Sequence, residues 1–129
     1  MEKADHIQYW LDESSENWNF AQKLLRSKDW VYALFYFHLT LEKLFKALWV
    51  KENIDNTPPR SHDLQYLHNQ TNLNLDAEDY SFLAIVSAWN LETRYPDYKR
   101  MIYKRTTGPF TLVQFEKVKL MRECLLKKL

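Results

Sequence analysis

WVYALFYFHLTLEKLFKALWVKE, residues 30–52, decides the fold. Ala33/Leu34, Phe37, Leu41, Leu44/Phe45 and Leu48 recur at helical spacing and define one apolar stripe. Tyr32, Phe35/Tyr36 and Leu39 define a second, so the first three turns have no solvated face. A helix that is apolar all round sits at the centre of a bundle or gives one face to a partner. The first stripe is expected to be core, and Tyr32, Phe35, Tyr36 and Leu39 are expected to form a homodimer contact.

Working outward, residues 4–26 place Ile7, Trp10, Leu11, Trp18, Ala21, Leu24 and Leu25 at helical spacing, with a polar interruption at Ser14-Ser15. Asp29 is the expected N-cap of the helix that follows. Pro58-Pro59 stops the connection beyond it. Ser61 to Gln65 can cap and start a short helix running to about Asn69. Asp76 caps a helix over residues 77–93, which Pro96 ends or kinks. Thr106-Thr107-Gly108-Pro109 reads as a stop. Thr111 and Gln114 have capping-box spacing for a last helix that would bury Leu112, Phe115, Val118 and Leu125. The expected fold is all-α, an up-and-down bundle of four long helices plus one or two short ones. One domain over residues 1–129 accommodates it.

Composition narrows the function classes. With 129 residues, 46% hydrophobic, the chain can bury a core without staples. A single glycine leaves little room for the tight turns of a sandwich or barrel, and no Gly-rich phosphate cradle is possible. The single cysteine, Cys124, excludes an internal disulfide and a cysteine zinc cluster and fits a reducing compartment. No leader and no apolar run of membrane-spanning length is recognised, so a cytoplasmic protein without a membrane association is expected.

The net charge is only +1, but it is unevenly distributed. Between Arg94 and Arg105 five basic residues stand against one acid, a local charge of +4, which leaves −3 for the rest of the chain. Arg94, Tyr95, Lys99 and Arg100 supply a forked guanidinium, further cations and an aromatic ring, the groups that hold phosphates and stack on bases. On the residues alone this reading stands level with a second, in which Arg94 pairs with Glu92 or another carboxylate and the basic run is a solvated surface.

Two histidine sites compete with this segment. His38 and Glu42 lie four apart on one helix face. Without a third ligand in sequence they read as a buried structural polar pair and not as a metal site. His62-Asp63 opens the short helix, Asp63 complementing its dipole within the same structural polar set. A histidine is the side chain suited to proton transfer at neutral pH, which makes His62 the candidate proton-transfer residue, beside Arg94 as the other catalytic candidate.

These pieces together resemble the HEPN domain family: the aromatic helix Tyr32 to Leu48 with His38, Glu42-Lys43 and Lys46-Ala47-Leu48, then His62-Asp63-Leu64, then Arg94-Tyr95-Pro96, in order and over nearly the whole chain. The resemblance implies a helical bundle that dimerises, often encoded beside a small nucleotidyltransferase as a toxin–antitoxin pair. It also implies, for many members, a metal-independent RNase built on an Arg and a His that follows it within one to two turns. Here no His occurs after His68. The residues match the Arg-Tyr-Pro type, for which nucleotide, RNA or partner binding at Arg94, Tyr95, Lys99, Arg100 and His62 is expected, with no cofactor. An RNase with an altered site and a non-catalytic dimeric interaction subunit are the alternatives.

Overall fold

The computed structural model describes the backbone of residues 1–129 and all side chains except those of residues 96–100. Among the described residues there are six helices and no strand: α1 (Lys3–Arg26), α2 (Trp30–Glu52), α3 (Leu64–Asn69), α4 (Ala77–Arg94), α5 (Pro96–Arg105) and α6 (Gly108–Leu126). Four are long and two short, as the periodicity requires. No helix is long and apolar enough to cross a membrane.

Helix α2 is the axis. Fourteen of its 23 residues are buried, and α1, α3, α4 and α6 all pack against it. Its first stripe is fully interior, with Phe37, Leu41 and Phe45 at 0% exposure. Burying side chains of this size contributes about 1.5–3 kcal/mol each before the entropy of ordering is set against it. Its second stripe, Tyr32, Phe35, Tyr36 and Leu39, is half-buried. Phe20 of α1 meets Tyr36 edge-on at 4.6 Å and covers part of it.

Helix α1 runs antiparallel to α2. Trp18 packs beside Phe37, the Ser14 hydroxyl donates to the carbonyl of Thr40 at 2.9 Å, and Lys3 reaches the far end of α2. The polar interruption at Ser14-Ser15 leaves α1 continuous, with Ser14 buried and Ser15 exposed. A serine whose hydroxyl finds a carbonyl on the neighbouring helix can be buried without breaking its own. The Lys3 ammonium donates to the carbonyls of Val50 and Asn53, both at 2.7 Å, and to Asn56 Oδ1 at 2.8 Å. It thereby satisfies carbonyls that the end of α2 leaves open.

Asp63 and Asp76 cap α3 and α4 through their carboxylates. Asp29 holds the N-cap position of α2 but makes no side-chain cap bond. The Pro96 break is a single residue wide. Tyr95 is extended (φ −103°, ψ 125°), as a residue before proline must be, and closes α4 while opening α5.

The last helix departs most from expectation. Thr106 to Pro109 is a stop and a start at once: Thr106 is the C-cap of α5, Thr107 is the N-cap of α6, accepting from the amide of Phe110, and Pro109 sits in the first turn, where its missing N–H costs nothing. Thr111 therefore lies inside the helix and bonds back to the carbonyl of Thr107. The buried side carries Thr111, Gln114, Val118, Met121 and Leu125, while Leu112 is 50% exposed. Gly108 lets the Trp30 ring pack close, since a Cβ there would stand 3.0 Å from it.

Candidate functional site

The polar residues of α2 form a line at four-residue spacing, His38, Glu42 and Lys46, which places them on one face. That face meets the segment entering α3 and the last turns of α4. His38 is wholly buried, and its Nε2 lies 2.8 Å from the carbonyl of His62. A carbonyl only accepts, so Nε2 carries the hydrogen. Nδ1 then accepts from the Asn90 amide of α4 at 3.4 Å. Burial drives the His38 pKa below 6.5, against the opposing pull of the His62 carbonyl and of Glu42, and the ring is neutral.

Glu42 is 2% exposed. Its Oε2 takes the Lys46 ammonium at 3.1 Å, and its Oε1 lies 2.7 Å from Nδ1 of His62 and 3.7 Å from His38 Nε2. An ionised carboxylate is an acceptor only, so His62 presents Nδ1–H to it. The His62 side chain is nevertheless 57% exposed. Lys46, 8% exposed, also stands 5.4 Å from the Trp10 ring of α1. A buried carboxylate is tolerated because an ammonium and an imidazole meet it on both oxygens.

Arg94 closes the other end of the network. Its Nε donates to the carbonyl of Asn90, one turn earlier, at 3.3 Å. Its guanidinium lies 5.6 Å from the ring of Tyr95, itself 48% exposed. Glu92 is taken by Arg105, and among the described residues no carboxylate pairs with Arg94. His62 and Arg94 are thus linked by a relay of three hydrogen bonds, from the His62 carbonyl to His38, from His38 to the Asn90 side chain, and, across the covalent frame of Asn90, from its carbonyl to Arg94.

Of the expected site residues, the fold brings His38, Glu42 and His62 into direct contact and links Arg94, with Tyr95 beside it. Lys99 and Arg100 lie outside the described side chains. Asp63 is not part of a polar core. It is exposed and accepts from the amides of Gln65 and Tyr66, because the open N–H groups of a short surface helix claim its carboxylate.

Lys46 and Asn90 are central here and were not singled out from sequence. Their signal was the spacing of four, from Glu42 to Lys46 and from Asn90 to Arg94. Among the described residues no group of three His, Cys, Asp or Glu side chains is placed to hold a metal ion, and both nitrogens of His38 are already committed.

Comparison with known proteins fits this architecture. The crystal structure of TT1696 from Thermus thermophilus superposes with a TM-score of 0.80 at 18% sequence identity, covering 95% of this chain and 98% of that one. At this identity the likeness concerns the fold. No curated protein matches the chain. The sequence profile of the HEPN domain matches residues 7–120, which reach into every helix and include every residue of the relay, and the chain therefore belongs to the HEPN domain family.

Proposed function

We propose that this HEPN protein binds a phosphate-bearing ligand, a nucleotide or single-stranded RNA, along the edge led by Arg94. Membership of the family supports a nucleotide- or RNA-related or an interaction role. The observation that carries the finer reading is the state of Arg94. It is exposed, its Nε is spent on the Asn90 carbonyl, and no described carboxylate neutralises it. A guanidinium has five N–H donors, so the remaining four can meet phosphate oxygens as a fork. Tyr95 offers a ring beside it, and Lys99 and Arg100 add positive charge in sequence.

Fluorescence polarisation with a labelled single-stranded RNA and a fluorescent ATP tests the reading. Arg94→Ala should weaken binding at least about tenfold, the order expected for loss of a charge-assisted bidentate contact, while circular dichroism stays unchanged. Affinity should fall as salt is added, because phosphate contacts release counterions. Unchanged affinity in the variant would sink the proposal.

The half-buried face of Tyr32, Phe35, Tyr36 and Leu39 supports a second reading, an interaction subunit that dimerises through α2. A small nucleotidyltransferase, in a toxin–antitoxin-like pair, is the partner proposed for it. Light scattering and a check of the neighbouring genes test both: a monomer with no transferase gene nearby removes this reading.

A further inference from the structure

We infer that the cavity where α2, α4, α5 and α6 converge, with Trp89 and Ile102 in its wall and the unpartnered hydroxyl of Thr106 beside them, binds an uncharged, ring-sized alcohol. Among the described residues neither Arg94 nor His62 lines it, so the inference stands apart from the phosphate reading above.

Helices α4 and α6 both pack on α2, and α5 packs on α4. The space left among them is a cavity of about 390 Å³, within the range of small-molecule sites. Leu34 of α2, Trp89 of α4 and Ile102 of α5 line it and are almost wholly buried, which makes them its floor. Ile85 of α4 and Phe110 of α6 line it too, yet are 52% and 36% exposed, and so stand at its mouth. Large apolar side chains thus remain in water where a guest would cover them, and withdrawing that surface from water drives an apolar body inward. The rings of Trp89 and Phe110 favour a flat aromatic one.

Thr106 turns this hollow into a site with a chemical preference. Its amide closes α5 on the carbonyl of Ile102 at 3.0 Å. Its hydroxyl is buried, in a residue only 6% exposed, and has no hydrogen-bond partner among the described residues. The hydroxyls of Thr40 and Thr111 are satisfied by carbonyls one turn back, a bond that Thr106 does not make. A buried hydroxyl left unpaired costs stability, and a guest that pairs with it recovers that cost. A step between staggered χ1 wells presents the oxygen to the cavity. A hydroxyl both donates and accepts, so the hydroxyl of a guest can meet it either way.

Charge sets the rest of the preference. Glu92 and Arg105, which also line the cavity, are paired with each other. A cationic guest would meet Arg105 and an anionic one Glu92, so the pair disfavours both and admits a neutral compound. The same argument separates this site from the phosphate edge at Arg94. A larger cavity, of about 500 Å³, shares Ile85 but is lined by Glu78, Asp79 and Lys117 together with Leu120 and Met121. It offers apolar surface without the buried hydroxyl and serves as an internal control.

The test titrates benzyl alcohol, toluene and benzoate, one ring with three head groups, into the full chain and follows the backbone amides by NMR. Benzyl alcohol should shift Trp89, Ile102, Thr106 and Phe110 saturably while Leu120 and Met121 move little, and benzoate should bind more weakly. Thr106→Val, nearly isosteric, should weaken benzyl alcohol about threefold to tenfold, the worth of one hydrogen bond, and leave toluene within about twofold. Thr106→Ser, which keeps the hydroxyl, should retain most of the alcohol's affinity. Ala88→Leu narrows the same cavity from α4 and should weaken all three compounds, which keeps the site testable if Thr106→Val melts early. An absence of saturable shifts at Trp89 and Ile102, or shifts of equal size around Leu120, overturns the site. Alcohol binding indifferent to Thr106→Val, or benzoate bound as tightly as the alcohol, overturns the ligand class assigned to it.

Discussion

The centre of α2 and the stretch from Arg94 to Arg105 use the same kinds of side chain in opposite ways. Within α2, Glu42 and Lys46 are folded into the interior, where each is the other's partner and His38 is held neutral between Asn90 and a backbone carbonyl. Among the described residues at the end of α4 and in α5, Arg94, Lys104 and Arg105 keep their charge at the surface. The exposed Arg105 pairs with a half-buried Glu92, and among the described residues Arg94 meets its own helix and a neighbouring ring. Interior charges cannot be removed singly without leaving an unmatched ion in low dielectric, whereas surface charges can. The first region is therefore committed to holding the structure, and the second is at liberty to bind.

The contrast is broken most forcefully from inside. Glu42→Ala leaves Lys46 buried without its partner and should cost about 3–5 kcal/mol, measured by urea unfolding. A loss below about 1 kcal/mol, the range of exposed pairs, would make the two regions equivalent after all. The apolar half of the same helix offers a matched reference, since Phe37→Ala should cost about 3–5 kcal/mol by opening a cavity.

Removing the Asp63 cap should cost about 1 kcal/mol in Asp63→Ala, because its two amide partners return to water. The pH dependence sharpens the comparison further. A buried histidine whose pKa is lowered from 6.5 stabilises fully above that value, and the contribution is lost as pH falls below it toward the folded-state pKa. Melting temperature should accordingly decline on acidification below about 6.5, and His38→Gln should flatten that decline. At the small end, Arg94→Ala should change stability by less than about 0.5 kcal/mol, whatever it does to ligand affinity.

Much of this was legible in advance where one interaction dominates. The first stripe of α2 is written in periodicity, and burial follows periodicity when every stripe residue is apolar. The family could be read from Tyr32 to Leu48, His62-Asp63 and Arg94-Tyr95-Pro96 together. The start of α6 was obscured because Gly108 and Pro109 commonly end helices, whereas here they follow the N-cap Thr107, with the Trp30 ring packed close to the glycine. Leu112 was assigned inward because hydropathy favours it over Thr111. The threonine wins the interior because its hydroxyl is satisfied by its own helix. The relay could not be foreseen at all, since Asn90 meets His38 across 52 positions of sequence. Spacing reveals neighbours along one helix and says nothing about which helices face each other.

The Lys3 ammonium has one further consequence. It rivets the opening turn of α1 to the start of the stretch over residues 53–63, whose far end holds the His62 ring. Neutralising that single charge, by acetylation or by Lys3→Met, strands the oxygens of Val50, Asn53, Asp55 and Asn56, which must then recruit water. Amide exchange along residues 53–63 should quicken while that of the α2 core does not. On this expectation the first turn of α1 steadies a ring almost 60 residues downstream, and unchanged exchange in Lys3→Met would refute it.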